Sequence, residues 1–154
     1  MAAMVPPSRK SCYNFRVVEI TKVLDGDTID VIIDLGFDLY KKERVRVAGV
    51  DTPEKRTTND EEKALGIDAT NWLKHQLEDA IAGEEDLVIR TELEGGFGKY
   101  GRLLGWLYLG IDAEKSLNEQ MIEEGYAWDY DGGTKCKDFE TLKEIRRVKG
   151  TLVE

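Results

Sequence analysis

Residues 13–35, YNFRVVEITKVLDGDTIDVIIDL, carry the pattern that decides the first part of the fold. Aromatic and β-branched residues dominate both halves of this stretch, as is typical of β-strands. The pair Asp25-Gly26 stands between the two halves, and such a pair between apolar runs is a strong signal for a two-residue hairpin turn. The stretch therefore predicts two antiparallel strands, with the second covering residues 28–35.

A third strand is predicted for residues 40–50, where Arg44, Val45, Arg46 and Val47 alternate. Alternation puts the two arginines on one face of the strand and the two valines on the other. The remaining elements follow from apolar periodicity and from helix start and stop signals. They are a helix over residues 60–83, strands over 87–93 and 103–109, a helix from about 116 to 125 and a helix over 138–149.

This order of elements predicts an α+β protein: three strands, a helix, two strands and two helices. A five-stranded Greek-key barrel with appended helices fits the order well. The 154 residues are enough for one domain with a buried core. We expect residues 1–12 to form a flexible tail and residues 13–154 to form the domain, acting as a monomer.

The charge and the termini bear on partners and compartment. A net charge of −9 argues against a broad basic surface for nucleic acid, although a small basic cleft or a bound divalent cation remains compatible with it. Residues 1–10 contain no apolar segment of a secretory signal, which favours an intracellular, cytoplasmic protein of cellular or viral origin. Cys12 and Cys136 match no zinc spacing, so we expect free thiols, with a single disulfide as the alternative.

Five polar residues together suggest a reaction at a phosphodiester. Carboxylate oxygens hold Ca²⁺ or Mg²⁺, a carboxylate can align and deprotonate water, and guanidinium groups neutralise charge on phosphorus. The candidates are Asp27, Arg46, Asp51, Glu54 and Arg102. Each alone has an ordinary explanation, such as a turn former, a solvated strand residue or a helix cap. The combination is far more specific than its parts.

Three segments in the same order resemble those of the staphylococcal nuclease, or thermonuclease, family. Residues 23–28 resemble its V-x-D-G-D-T turn, residues 46–54 its R-(four residues)-D-T-P-E segment, and residues 99–102 its K-Y-G-R loop. Residues 117–127 give a weaker fourth match. The resemblance spans residues from about 16 to 130, which is most of the chain, and implies an OB-fold barrel with three helices.

The resemblance also implies a cofactor and the residues that bind it. One Ca²⁺ ion would be held by the carboxylates of Asp27 and Asp51 and by the backbone carbonyl of Thr52. Glu54 would reach this ion through water and act as the general base. The substrate would be DNA or RNA.

The resemblance further implies contacts with the substrate. Arg46 and Arg102 would bind the scissile phosphate, with Arg102 also stabilising the transition state. Lys99 and Tyr100 would contact a neighbouring phosphate, and Tyr130 is the best candidate for stacking on a base. Cleavage of the P–O5′ bond would leave 3′-phosphates.

Two other classes of protein remain as alternatives at this point. The same barrel can serve as a catalytically inactive module that binds nucleic acid or protein, but such a module needs no complete set of carboxylates and arginines. A structural or sensory calcium protein would not need the phosphate-binding arginines. The sequence therefore favours a calcium-dependent endonuclease.

Overall fold

The structure is a computed structural model, and it describes residues 14–83, 86–91, 102–135 and 137–153. The predicted tail and both cysteines lie outside these residues. The same holds for Lys99, Tyr100 and the glycine-rich loop around them up to Gly101.

Seven strands and three helices are formed by the described residues. In chain order they are β1 Asn14–Asp25, β2 Thr28–Gly36, β3 Leu39–Val47, β4 Val50–Asp51, α1 Asp60–Ala82, β5 Leu87–Thr91, β6 Leu103–Leu109, α2 Leu117–Glu123, β7 Trp128–Asp129 and α3 Phe139–Lys149. Five of the strands close a barrel in the order β1-β2-β3-β6-β5. Only β3 and β6 pair in parallel within it. The predicted α+β OB-fold with three helices is confirmed.

The core fills the interior of this barrel and extends under α1 and α2. The valines that the alternation places on one face of β3 point into this core, because Val45 and Val47 are both buried. Their buried neighbours in the same cluster include Val17, Ile29, Val31, Ile33, Leu73, Leu77, Leu87, Ile89, Leu107, Leu117 and Met121. No helix within the described residues is long and apolar enough to cross a membrane.

The helix boundaries follow the capping signals of the sequence. Asn59, Ser116 and Asp138 precede the three helices, and the side chain of each accepts a backbone N–H of the first turn. Gly150 ends α3 in the left-handed conformation, with φ of 72°. The three predicted helices are therefore confirmed to within one or two residues.

Two details of the predicted strands are wrong. The first turn consists of Gly26 and Asp27, because Asp25 still pairs with Thr28 and its side chain accepts the N–H of Asp27 at 3.1 Å. The predicted third strand does not continue to residue 50. The chain bends at Gly49, whose φ is +77° and whose missing Cβ would lie 2.8 Å from the Trp106 ring.

The bend at Gly49 creates a small second sheet that the sequence pattern did not indicate. After the bend, β4 pairs with β7, which brings Asp51 opposite Trp128. The backbone N–H of Tyr130 also donates to the Gly49 carbonyl at 2.9 Å. The pairing therefore holds the chain that follows β7 against the segment that carries Asp51.

A buried asparagine of α2 fastens this region to the barrel. The Asn118 amide donates to the carbonyls of Ala48 at 2.7 Å and Gly105 at 3.1 Å, and it accepts the N–H of Leu107 at 3.0 Å. These bonds satisfy backbone groups where β3 leaves the barrel beside β6. A buried amide with all its partners fixes the relative position of the three segments.

Candidate active site

The polar residues singled out in the sequence gather where the β2–β3 hairpin begins and ends, opposite its tip. Asp27 is the second residue of the first turn, and its carbonyl accepts the N–H of Val47 at 2.8 Å. Thr28 pairs with Arg46 across the two strands. The hairpin therefore places Asp27 beside Arg46 although they are distant in sequence.

Arg46 occupies the centre of the cluster. Its Nη2 atom lies 3.4 Å from Asp27 Oδ2 and 3.9 Å from Asp51 Oδ1. Its Nη1 atom donates to the Val47 carbonyl at 2.8 Å, and only 10% of the side chain is exposed. One buried guanidinium thus joins the first turn to the segment after Gly49. Arg44, on the same face, pairs instead with Asp30 and is exposed.

The Asp27 carboxylate is fixed by several donors. Thr52 donates to Oδ2 from its backbone N–H at 3.4 Å and from its hydroxyl at 3.2 Å, and Thr28 donates to Oδ1 at 3.1 Å. Burial raises the pKa of Asp27, but Arg46 and these hydrogen bonds outweigh burial and hold it below its usual value. Asp27 is therefore ionised in the folded protein at neutral pH.

Asp51 lies deeper, with 3% of its side chain exposed. Burial raises the pKa of this carboxyl. The ammonium of Lys135 and the guanidinium of Arg46 act in the opposite direction but do not cancel the rise. Its Oδ1 atom is buried and accepts no hydrogen bond from the residues that the structure describes, and the nearest cation to it among these residues is Lys135 Nζ at 3.5 Å. A buried carboxylate oxygen without a donor is unfavourable, so this atom is suited to receive a cation.

Asp25 is a member of the cluster that the sequence analysis did not propose. Burial, together with the adjacent Asp27 carboxylate, raises the pKa of Asp25 to about 6. Its position two residues before Asp27 in the Asp-Gly-Asp turn was a signal that could have identified it. The close pair concentrates negative potential at the turn, which is favourable to a cation.

Glu54 follows Pro53 in the loop before α1, and its side chain is about half exposed. Its backbone N–H donates to the buried carboxylate of Glu62 at 3.4 Å, which Lys137 also contacts at 2.8 Å. A shallow cavity beside it is lined by Leu24, Asp25, Glu54, Lys55 and Arg56. The Glu62 carboxylate thus holds the backbone of the loop, while the Glu54 carboxylate remains open to solvent.

The second arginine and the aromatic candidate border the same cluster. Arg102 Nη1 donates to the Thr28 hydroxyl at 3.3 Å, next to Asp27. The Tyr130 ring lies 5.9 Å from the Arg46 guanidinium carbon, and its hydroxyl donates to the Gly133 carbonyl at 3.1 Å. The structure therefore brings together all the predicted site residues that it describes.

Lys135 was not predicted and belongs to the cluster. Its Nζ atom lies 3.5 Å from Asp51 Oδ1 and 3.7 Å from Glu54 Oε1. Burial lowers the pKa of Lys135, but the charges of Asp51, Glu54 and Asp27 outweigh this effect and raise it. No local pattern marks this lysine, because only the pairing of β4 with β7 brings its segment to the site.

The donor set fits a hard divalent cation in part. Within the ranges that the structure describes, no three His, Cys, Asp or Glu side chains form a metal cage by themselves. Asp27 and Asp51 offer carboxylate oxygens on either side of Arg46, and Thr52 adds a backbone carbonyl. Oxygen ligands of this kind suit Ca²⁺ and Mg²⁺, whose remaining positions are commonly taken by water.

Comparison with known proteins identifies the family of this chain. The model of a family described as "Staphylococcal nuclease homologue" matches residues 44–150, which include Arg46, Asp51, Glu54 and Arg102. The chain belongs to the staphylococcal nuclease family.

Individual relatives lie at moderate identity. Micrococcal nuclease of Shigella flexneri is 33% identical over 85% of this chain and 70% of its own length. Endonuclease YncB of Bacillus subtilis is 35% identical over 82% of this chain and 56% of its own length. Protein ParB of Escherichia coli is 28% identical over 88% of this chain and 69% of its own length.

Proposed function

We propose that this protein is a metal-dependent nuclease that hydrolyses phosphodiester bonds of DNA or RNA. The observation that carries the proposal is the buried Arg46 guanidinium, which contacts the carboxylates of both Asp27 and Asp51. The names of two relatives, a micrococcal nuclease and an endonuclease, support it.

Asp27, Asp51 and the Thr52 carbonyl are the groups proposed to hold one Ca²⁺ ion. The buried Asp51 Oδ1, which accepts no hydrogen bond from the described residues, and the ionised state of Asp27 support this assignment. When bound, the cation supplies Lewis-acid polarisation of a phosphoryl oxygen and neutralises charge that develops on it. The protein contributes a fixed set of oxygen donors.

Glu54 is proposed as the general base. Its carboxylate faces solvent and the adjacent cavity, so a water molecule can reach it, and Glu62 fixes the backbone from which it projects. A carboxylate in this position can accept the proton of water as the oxygen attacks phosphorus. Positioning of that water is the main requirement, because proton transfer demands hydrogen-bond contact.

Arg46 and Arg102 are proposed to bind the scissile phosphate. Arg46 is held rigidly by Val47 and Asp27, whereas Arg102 is the first described residue after the glycine-rich loop. A preorganised guanidinium stabilises the additional negative charge of the transition state without having to reorient. Cleavage of the P–O5′ bond with a 3′-phosphate product belongs to the same proposal, as do phosphate contacts of Lys99 and Tyr100 and base stacking on Tyr130.

A catalytically inactive binding module is not favoured by this arrangement. Such a module gains nothing from a buried arginine between two carboxylates with a third carboxylate open to solvent nearby. Charged groups of this kind are unfavourable to bury, and they are retained where a reaction uses them.

The test is digestion of supercoiled plasmid and of a long RNA, each with Ca²⁺, Mg²⁺ or EDTA. We expect cleavage with Ca²⁺ and none with EDTA. The fragments should carry 5′-hydroxyl ends that polynucleotide kinase labels directly, and 3′ ends that terminal transferase extends only after a phosphatase has removed the 3′-phosphates. Glu54→Gln should lose most of kcat while Ca²⁺ binding is largely retained. Cleavage that is equal with and without EDTA would refute the metal-dependent mechanism.

A further inference from the structure

Lys135 has no role in the function proposed above, although its ammonium lies among the residues that carry it. It stands on the segment between β7 and α3, far from Asp51 in sequence. Nζ is 3.5 Å from Asp51 Oδ1 and 3.7 Å from Glu54 Oε1. It therefore bridges the proposed cation ligand and the proposed general base.

The contact with Asp51 meets a need of the buried carboxylate. Among the described residues, Asp51 Oδ1 accepts no hydrogen bond, and the cations within 4.0 Å of it are Arg46 at 3.9 Å and Lys135 at 3.5 Å. Arg46 is also the cation closest to Asp27 and satisfies that carboxylate first. Lys135 consequently supplies the nearer positive charge for the Asp51 oxygen.

A divalent cation that binds Asp51 meets the charge of Lys135. Two positive charges held a few Å apart repel each other, and the repulsion is stronger near a protein surface than in water. The ammonium at Asp51 Oδ1 therefore opposes a divalent cation that binds the same carboxylate. Lys135 and the cation compete for one position.

Lys135 is able to leave without unfolding the protein. Its side chain is 47% exposed, and it follows Gly132, Gly133 and Thr134. The segment is anchored on both sides, by Tyr130 at the Gly49 carbonyl and by Lys137 at Glu62. Movement can be confined to the lysine side chain and the few residues between these anchors.

We propose that Lys135 is a positioning residue that neutralises Asp51 and holds the Asp51 and Glu54 carboxylates in place until a divalent cation displaces it. The inference rests on the proposed function, because it concerns the same site. It predicts that Lys135 weakens cation binding, and that the Lys135 side chain leaves Asp51 when the cation binds.

The test compares Lys135→Gln and Lys135→Arg with the wild-type chain by titration calorimetry with CaCl₂ alone. We expect Lys135→Gln to bind Ca²⁺ about three- to tenfold more tightly, because the competing charge is gone. Lys135→Arg should bind Ca²⁺ with an affinity near that of the wild type, since it retains the charge. Lys115→Gln is the matched control: its ammonium pairs with Glu123 on the surface at 2.8 Å, and its affinity should be unchanged.

A second measurement detects the displacement directly. In protein labelled with ¹³C at the lysine side chains, the Cε signal of Lys135 is assigned by its absence from the Lys135→Gln spectrum. We expect it to move toward the position of a free lysine when Ca²⁺ is added, while the Lys115 signal stays. Thermal unfolding in EDTA establishes that each variant is folded.

The outcomes separate this inference from the proposed function. Wild-type protein that binds Ca²⁺ and cleaves nucleic acid, with unchanged or weaker binding in Lys135→Gln, overturns the inference alone. Wild-type protein that neither binds Ca²⁺ nor cleaves overturns both. Tighter binding in Lys135→Gln together with the moving Cε signal supports it.

Discussion

The two ends of the β2–β3 hairpin both depart from the usual distribution of residues. One end buries charged side chains, and the other exposes apolar ones. At the end where β2 begins and β3 finishes, the charged side chains of Arg46 and Asp51 are buried. At the tip, where β2 passes into β3, Phe37 is 97% exposed and Leu39 is 59% exposed. Burial of charge and exposure of apolar surface are each unfavourable, yet one hairpin combines them.

The difference between the ends lies in what compensates them. At the site end, Arg46 is surrounded by carboxylates and a carbonyl, so its burial has partners. At the tip, Phe37 and Asp38 both have positive φ, 55° and 61°, as in a type I′ turn that favours Asn and Gly. Among the residues that the structure describes, no contact of the 97% exposed Phe37 side chain offsets this strain, and nothing in the structure explains the choice of Phe. A buried charged residue such as Arg46, whose partners compensate its burial, indicates a site. A strained residue such as Phe37, which no contact compensates, does not.

The largest effect is expected from removing the partnered charge. Arg46→Ala should lower kcat by about 10²- to 10³-fold and weaken binding of a substrate analogue, because a preorganised phosphate donor is lost. Arg46→Lys should not restore full activity, since an ammonium cannot replace the guanidinium fork. Steady-state kinetics on a synthetic oligonucleotide measures both parameters.

Arg44→Ala is the control for this comparison. It removes the same group from the same face of β3, where Arg44 forms an exposed pair with Asp30 at 2.8 Å. We expect kcat within about twofold of wild type and little change in the free energy of unfolding, because an exposed ion pair contributes little. Equal kcat values for Arg46→Ala and Arg44→Ala would show that Arg46 has no role in catalysis.

An intermediate effect is expected for Glu62, the buried carboxylate that accepts the backbone N–H of Glu54. Glu62→Gln should lower the free energy of unfolding by about 1–3 kcal/mol at pH 7, because the charged hydrogen bond with Lys137 is lost. Burial raises the pKa of Glu62, but Lys137 and the Glu54 N–H outweigh it, so the net pKa is lowered. The folded state then binds fewer protons than the unfolded state, and this stabilisation is present above the unfolded pKa and lost as pH falls through the folded pKa.

Urea unfolding at pH 7 and at pH 3 tests the sign. The difference between wild type and Glu62→Gln should be large at pH 7 and should shrink at pH 3. Glu61→Gln, which changes the adjacent and more exposed carboxylate that pairs with Lys143, should have a smaller effect at both pH values. A difference for Glu62→Gln that does not depend on pH would assign the effect to packing and not to charge.

The smallest effect is expected at the tip, and it has the opposite sign. Phe37→Asn should raise the free energy of unfolding by about 0.5–1 kcal/mol, because asparagine tolerates the left-handed conformation that phenylalanine adopts with strain. Thermal unfolding measures the gain. Leu39→Asn removes a similar exposed apolar surface at a residue without positive φ and should give no gain. A loss of stability in Phe37→Asn would show that the aromatic ring contributes to the fold.

The sequence predicted most of the fold because its signals are local. Capping residues such as Asn59 and Ser116 mark helix ends within a few residues, and alternation at Val45 and Val47 marks the buried face of β3. The bend at Gly49 escaped prediction because its cause is distant: the Trp106 ring occupies the space where a Cβ would lie. The pairing of β4 with β7 escaped prediction because each of these strands has only two residues.

The candidate site was predicted unevenly for the same reason. Asp27, Arg46 and Asp51 stand in short motifs, so their pattern was visible before the structure. Lys135 stands in a polar segment with no periodicity and reaches Asp51 only through the pairing of β4 with β7. Asp25 was visible in the motif, but its altered pKa depends on burial, which the turn sequence does not reveal.

The Asn118 amide has a consequence for the order of folding. Its bond to Ala48 joins residues 70 positions apart in the chain, and its bonds to Leu107 and Gly105 span 11 and 13 positions. Contacts between distant residues form late, because the entropy of closing a long loop must be overcome first. The β1–β2–β3 meander can therefore form while the ribosome still holds α2, whereas Ala48 acquires its side-chain partner only after residue 118 has emerged. The segment that carries Asp51 is accordingly among the last parts of the nascent chain to become rigid.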